Sequence, residues 1–105
     1  MLTPKEHKRF TSYVQDMDVK RLAAAFDALS EPNRCLIFRA LLQENSVNVG
    51  QIASAMDISE SLTSQHLKIL LRSGLVTRRK EGKNVYYLVK ENDPLVDALK
   101  HAVEA

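Results

Sequence analysis

Residues 51–89, QIASAMDISESLTSQHLKILLRSGLVTRRKEGKNVYYLV, constrain the fold more than any other stretch of the chain. They hold two short amphipathic helices joined by a tight, polar, capped turn, and then two strands. In the first helix Ile52, Ala53 and Met56 face inward, and Asn48 is placed to cap it. Asp57-Ile58-Ser59 forms the turn, with Ser59 as cap of the second helix. There Thr63, Leu67, Leu70 and Leu71 are the buried side, and Gly74 is the left-handed stop. Two helices crossing at close range leave room for little beyond a methyl group, which Ala53 supplies, and Ile58 is set to plug the gap from the turn. The spacing points to a helix-turn-helix.

Leu75-Val76-Thr77-Arg78-Arg79-Lys80 and Asn84-Val85-Tyr86-Tyr87-Leu88-Val89 alternate as a pair of strands, with Gly82 supplying the turn. Arg78, Arg79, Lys80 and Lys83 crowd the tip. A duplex must be read in its groove and also held by its phosphates, and this segment offers parts for both. The whole chain has 15 basic and 13 acidic residues, so its net charge of +2 says little about a nucleic-acid partner. The distribution says more. Between Gln65 and Lys90 stand Lys68, Arg72, Arg78, Arg79, Lys80, Lys83 and Lys90 against Glu81 alone, a local +6 that leaves the remainder at −4. A phosphate-facing surface requires such segregation. A merely solvated charged face is the bland alternative, and the adjoining helix-turn-helix weighs against it.

A length of 105 residues with 45% hydrophobic content suits one domain over one modest core. Thr3-Pro4 opens a helix in which Phe10, Tyr13, Val14 and Met17 form one stripe. Asp18 caps a second stretch carrying Val19, Leu22, Ala23, Phe26 and Leu29 on one face, as a separate helix or as the first continued through a bend. Ser30-Glu31-Pro32 is a fresh start, and Cys35, Leu36, Ile37, Phe38, Ala40, Leu41 and Leu42 make the next helix the candidate for the centre of the core. Asp93-Pro94 opens a last helix with Leu95, Val96, Leu99, Ala102 and Val103 on one face. In so small a domain a terminal apolar stripe reads as a dimerisation element rather than core, and the first helix has the same character.

The predicted fold is mainly α with a two-stranded β-wing, a winged helix-turn-helix over residues 1–105. Residues 1–29 and 93–105 are its dimerisation helices, 49–74 the helix-turn-helix and 75–89 the wing. No secretory signal or membrane-spanning run is present, and one cysteine allows no disulfide framework within the chain, so the expected location is cytoplasmic, away from membranes.

Leu29-Ser30-Glu31-Pro32-Asn33-Arg34, Ile58-Ser59-Glu60-Ser61, Ser64-Gln65-His66-Leu67-Lys68, Gly74-Leu75-Val76 and Gly82-Lys83-Asn84-Val85-Tyr86-Tyr87 resemble, in order, the ArsR/SmtB family of winged-helix repressors. The resemblance covers roughly residues 18–103. It implies a homodimeric, cytoplasmic transcription regulator that binds an inverted-repeat operator in double-stranded DNA and is displaced by an effector, here unknown. One departure is Leu62-Thr63, where many members carry a small polar residue followed by an aliphatic one. The swap brings Leu62 nearer the groove face.

The family is best known for sensing metals, and its ligand positions do not carry the donors. The thiolate box falls on Val47-Asn48-Val49-Gly50-Gln51, where Asn48 and Gly50 replace the two cysteines. At the terminal-helix site one register offers Asn92, Pro94 and Glu104. The other offers His101 and Glu104 with Leu88 and Lys90. Neither gives the four donors of a zinc-type site, and no metal or cofactor is expected. His7 reads as solvated, His101 as complementing a helix dipole, and Cys35 as a small buried hydrophobe. No nucleophile with its base, no phosphate-cradling glycine loop and no carboxylate pair is present, so an enzyme is not expected.

Ser61, Ser64, Gln65 and Lys68 project from the exposed side of the recognition helix, and Gln65 has the chemistry for a bidentate contact with adenine. Ser59 is a cap whose neighbouring backbone N–H could also meet a phosphate. His66 fits a phosphate contact or a packing role equally. Arg78, Arg79, Lys80 and Lys83 anchor the wing. Of Tyr86 and Tyr87, one packs inward and the other faces DNA, with Tyr86 placed among the DNA-facing residues. The rival reading is a winged helix serving as a protein-interaction module without specific DNA binding. The polar ridge of Ser61, Ser64 and Gln65 weighs against it.

Overall fold

The computed structural model describes residues 1–15 and 19–104. Its elements in chain order are α1 (Pro4–Val14), α2 (Val19–Leu29), α3 (Pro32–Gln43), β1 (Val47–Asn48), α4 (Val49–Met56), α5 (Glu60–Arg72), β2 (Val76–Glu81), β3 (Asn84–Val89) and α6 (Pro94–Glu104). Met17 and Asp18, assigned from sequence to the first stripe and a cap, lie outside the described residues.

Helix ends follow the cap chemistry. Thr3 and Asn48 each close a capping box, with Glu6 and Gln51 respectively, and so satisfy backbone N–H groups that a helix start leaves unpaired. The Ser59 hydroxyl accepts the Leu62 N–H at 3.0 Å and starts α5. Gly74 ends that helix with φ +77, an angle that strains any side chain but glycine's. The chain then turns directly into β2.

α3 is the central core helix, as its composition predicts. Its Ile37, Phe38 and Leu41 meet Ile52 of α4, Leu67 and Leu70 of α5, Leu75, Val76, and Val96 and Leu99 of α6. Each large apolar side chain taken fully out of water there contributes roughly 1.5–3 kcal/mol. α4 and α5 are thereby fixed to one floor, with the second of them presented outward.

Several features add to the sequence reading or depart from it. The sheet has three strands, in the order β1-β3-β2, because Val47 and Asn48 pair antiparallel with Tyr87 and Tyr86. Two residues carry no readable period, yet they tie the base of the hairpin to the start of α4. In α2 the side turned to the core is Ala25 and Ala28, whose methyl groups permit close approach, while Val19, Leu22 and Phe26 stand exposed. In α6 the stripe is mostly core, since Val96 and Leu99 are buried and Leu95 and Val103 pack beside them, leaving Ala102 exposed. Ile58 is half-buried rather than a full plug.

α1 buries none of its residues and leaves Phe10, Tyr13 and Val14 exposed. No helix among the described residues is long and apolar enough to cross a membrane.

Candidate nucleic-acid interface

Side chains on α5 divide by the helical repeat. Thr63, His66, Leu67 and Leu70 are buried, and Ser61, Leu62, Ser64, Gln65 and Lys68 are exposed. The Leu62-Thr63 inversion fits this division. Leu62 is turned outward as expected, and the buried Thr63 hydroxyl donates to the Ser59 carbonyl at 2.8 Å, so it carries no unpaired polar group inward.

His66 belongs to the packing side, which corrects its place among the DNA-facing residues. It is 8% exposed, with Nδ1 3.8 Å from Glu31 Oε2. Nε2 is buried without a hydrogen-bond partner among the described residues. Glu31 is itself the cap of α3, accepting the Arg34 N–H at 2.9 Å. Burial pushes the Glu31 carboxyl up, but backbone N–H groups of Arg34 and Asn33, with His66 and Arg34 nearby, hold it below its ordinary value. His66 is thus buried beside Glu31 at the head of the core helix.

Register sorts the wing. Arg78 pairs with Tyr87 and Lys80 with Val85, so these four share one face of the hairpin. Arg79, Glu81, Asn84 and Tyr86 share the other. Arg79 is occupied there, with Nε 2.8 Å from Glu81 Oε1 and Nη2 donating to Ser46 Oγ at 3.1 Å. Arg78, Lys80 and Lys83, by contrast, make no ion pair among the described residues. Gly82, at φ +62, makes the tip and leaves Lys83 exposed.

Of the two tyrosines, Tyr87 is the one that packs against the core, and it also lines a hollow with Ser64, Lys68, Leu71, Arg72 and Arg78. Tyr86 lies on the opposite face of the hairpin. Arg72, a member of the basic cluster, follows Lys68 by four residues on α5 and lines the same hollow.

The family's metal positions do not fit an ion. Asn48 Oδ1 is engaged by the Gln51 N–H at 2.8 Å, Gly50 has no donor, and Glu104 Oε1 accepts from Gln43 Nε2 at 2.7 Å. Among the described residues no three His, Cys, Asp or Glu side chains gather to hold a metal.

Residues 31–78 match the model of the family described as bacterial regulatory protein, arsR family. The chain is 38% identical over 82 residues to the cadmium resistance transcriptional regulatory protein CadC of Listeria innocua, a match spanning 78% of this chain and 69% of that one. The solved structure of HlyU from Vibrio cholerae superposes with a TM-score of 0.71 at 30% identity, covering 86% of this chain and 91% of the other. The homodimeric winged helix-turn-helix DNA-binding domain Mb0332 from Mycobacterium bovis gives 0.72 at 28% identity, over 86% and 83%. With the reading helix, the wing and these likenesses in agreement, the chain belongs to the arsR family as a winged helix-turn-helix transcriptional regulator, and is not an enzyme.

Proposed function

We propose that residues 1–105 act as one winged helix-turn-helix unit of a cytoplasmic homodimeric repressor that binds an inverted-repeat operator. The observation that carries this reading is the exposed ridge of Ser61, Ser64, Gln65 and Lys68 on α5, flanked by a wing whose Arg78, Lys80 and Lys83 have no acidic partner among the described residues. Gln65 reads a base edge, and Ser61, Ser64 and Lys68 meet bases or phosphates. Ser59 acts as a cap and offers its helix N-terminus to the backbone. Arg78, Lys80 and Lys83 hold phosphates, with Arg79 and Tyr86 in supporting places on the outer face of the wing. A two-fold axis through the terminal helices sets two copies of α5 about 34–36 Å apart, one helical turn. Homodimerisation of the Mycobacterium bovis neighbour supports this arrangement.

Selection of duplexes from a random library, followed by the mass of the complex in solution, tests the proposal. The expected result is an enriched inverted repeat with half-sites about one turn apart, carrying two protomers. No enrichment, or one protomer on a lone half-site, would overturn it.

A further inference from the structure

We infer that the hollow between α5 and the base of the wing is a phosphate site that takes one backbone phosphodiester in each half-site. This rests on the DNA-reading proposal and deepens it by assigning Arg72 and Tyr87 to the interface. The hollow measures about 480 Å³ and is walled by Ser64, Lys68, Leu71 and Arg72 of α5 and by Arg78 and Tyr87 of the hairpin.

Its walls are fixed by the fold. Gly74 turns the chain at the end of α5, and the Leu75 N–H then donates to the Leu70 carbonyl at 3.2 Å. Leu75 and Val76 are buried immediately after it, so β2 must leave alongside the helix. Arg78, two residues beyond Val76 on the same face of the strand, is thereby set opposite Lys68 and Arg72.

Charge supplies the second argument. Some cations have acidic partners, Arg79 with Glu81 and Arg21 and Lys90 with Asp93, and others such as Lys80 and Lys83 stand singly on the surface among the described residues. Lys68, Arg72 and Arg78 converge on one hollow and have no ion pair among the described residues. Three like charges so placed repel one another until an anion enters. Ser64 and Tyr87, both residues with a hydroxyl donor, line the same hollow, so its composition suits an anion with several acceptor oxygens rather than a single carboxylate contact. Guanidinium forks meet the two free oxygens of a phosphodiester side by side. Gln65 does not line the hollow. Phosphate binding there consequently sets how deep α5 enters the groove without reading the sequence.

A neutral methylphosphonate, stepped one position at a time along each half-site of the selected operator, tests the assignment against the intact protein, Arg72→Ala and Arg72→Lys. One position per half-site should weaken the intact protein about tenfold or more. Arg72→Ala should lose about as much on the unmodified operator and nothing further at that position, with Arg72→Lys, which keeps the charge without the fork, recovering only part of the loss. Its melting temperature and base preferences should be unchanged. If Arg72→Ala bound like the intact protein with the same salt dependence, while Gln65→Ala still shifted base preference, the phosphate site would be wrong and the DNA reading would stand. No duplex binding by the intact protein would overturn both. Inorganic phosphate that bound the intact protein through Arg72 but left operator affinity unchanged at matched ionic strength would assign the hollow to a free anion and overturn its assignment to the duplex backbone.

Discussion

Asp93 is almost fully buried yet ionised, and its partners explain how. Arg21 of α2 donates to Oδ2, Lys90 lies 3.6 Å from the same oxygen, and the Leu95 N–H meets Oδ1 at 2.9 Å. The Arg21 hydrogen bond outweighs burial, which alone would push the carboxyl up, and holds its pKa at about 2, below the ordinary 3.8. A carboxyl lowered on folding stabilises the protein above its ordinary pKa, and that stability is lost as pH falls towards 2. Arg21 is 44% exposed, so solvent screening reduces the gain to about 1–2 kcal/mol. Asp93→Asn should therefore melt lower at pH 7, by several degrees, and the gap from the parent should close between pH 4 and 2. Parallel melting curves across that range would contradict the assignment. The Ser59 cap is an independent case at the same scale. Ser59→Ala should cost about 1 kcal/mol in a denaturant titration, whatever else the residue does at the DNA. The Ser59 cap and the Asp93-Pro94 start were legible as local sequence. The inward turn of His66 was not, because packing and phosphate roles suit one residue type equally, and only the position of α3 decides between them.

Strand alternation was equally legible in the hairpin, but not which face would meet the recognition helix. That depends on Gly74, on the buried Leu75 and Val76, and on the pairing of β3 with β1, none of which shows in the hairpin's own residues. The consequence is a difference between neighbours. Arg78→Ala should weaken operator binding about tenfold or more, as expected for a charged contact to phosphate. Arg79→Ala, already held by Glu81 and Ser46, should cost little. Equal losses in a shift assay would mean that the two faces of the wing are used alike. α2 illustrates the opposite limit. Its stripe of Val19, Leu22 and Phe26 is legible and stands exposed, whereas the core takes Ala25 and Ala28, which that stripe does not include, because close helix approach needs small side chains.

The molecule extends 60 Å along its long axis against 25 and 24 Å across. α1 exposes Phe10, Tyr13 and Val14, and α2 exposes Val19, Leu22 and Phe26. In the proposed homodimer these stripes are covered by the second copy. Phe10→Ser with Phe26→Ser removes two aromatic anchors, each contributing roughly 1.5–3 kcal/mol when buried. The double variant should run as a folded monomer in sedimentation, with an unchanged helical spectrum and operator affinity reduced to that of one half-site. A dimer of undiminished affinity would place the interface elsewhere. The winged helix-turn-helix as a whole was legible because its parts come in order along the chain: central apolar helix, capped turn, glycine stop and basic hairpin. The division of α6 between core and surface was not, since one apolar stripe serves either purpose.

The most direct test of DNA reading by α5 is a salt-titrated binding series on a panel of operator sequences, using the parent, Gln65→Ala and Lys83→Ala. Gln65→Ala should change the order of preference among sequences, by about 1–3 kcal/mol at the base pair it reads. Lys83→Ala should weaken every sequence alike and reduce the salt slope by about one for each wing on the duplex. Binding that ignores both substitutions, in order of preference and in slope, would contradict the placement of the reading head on α5 and its wing.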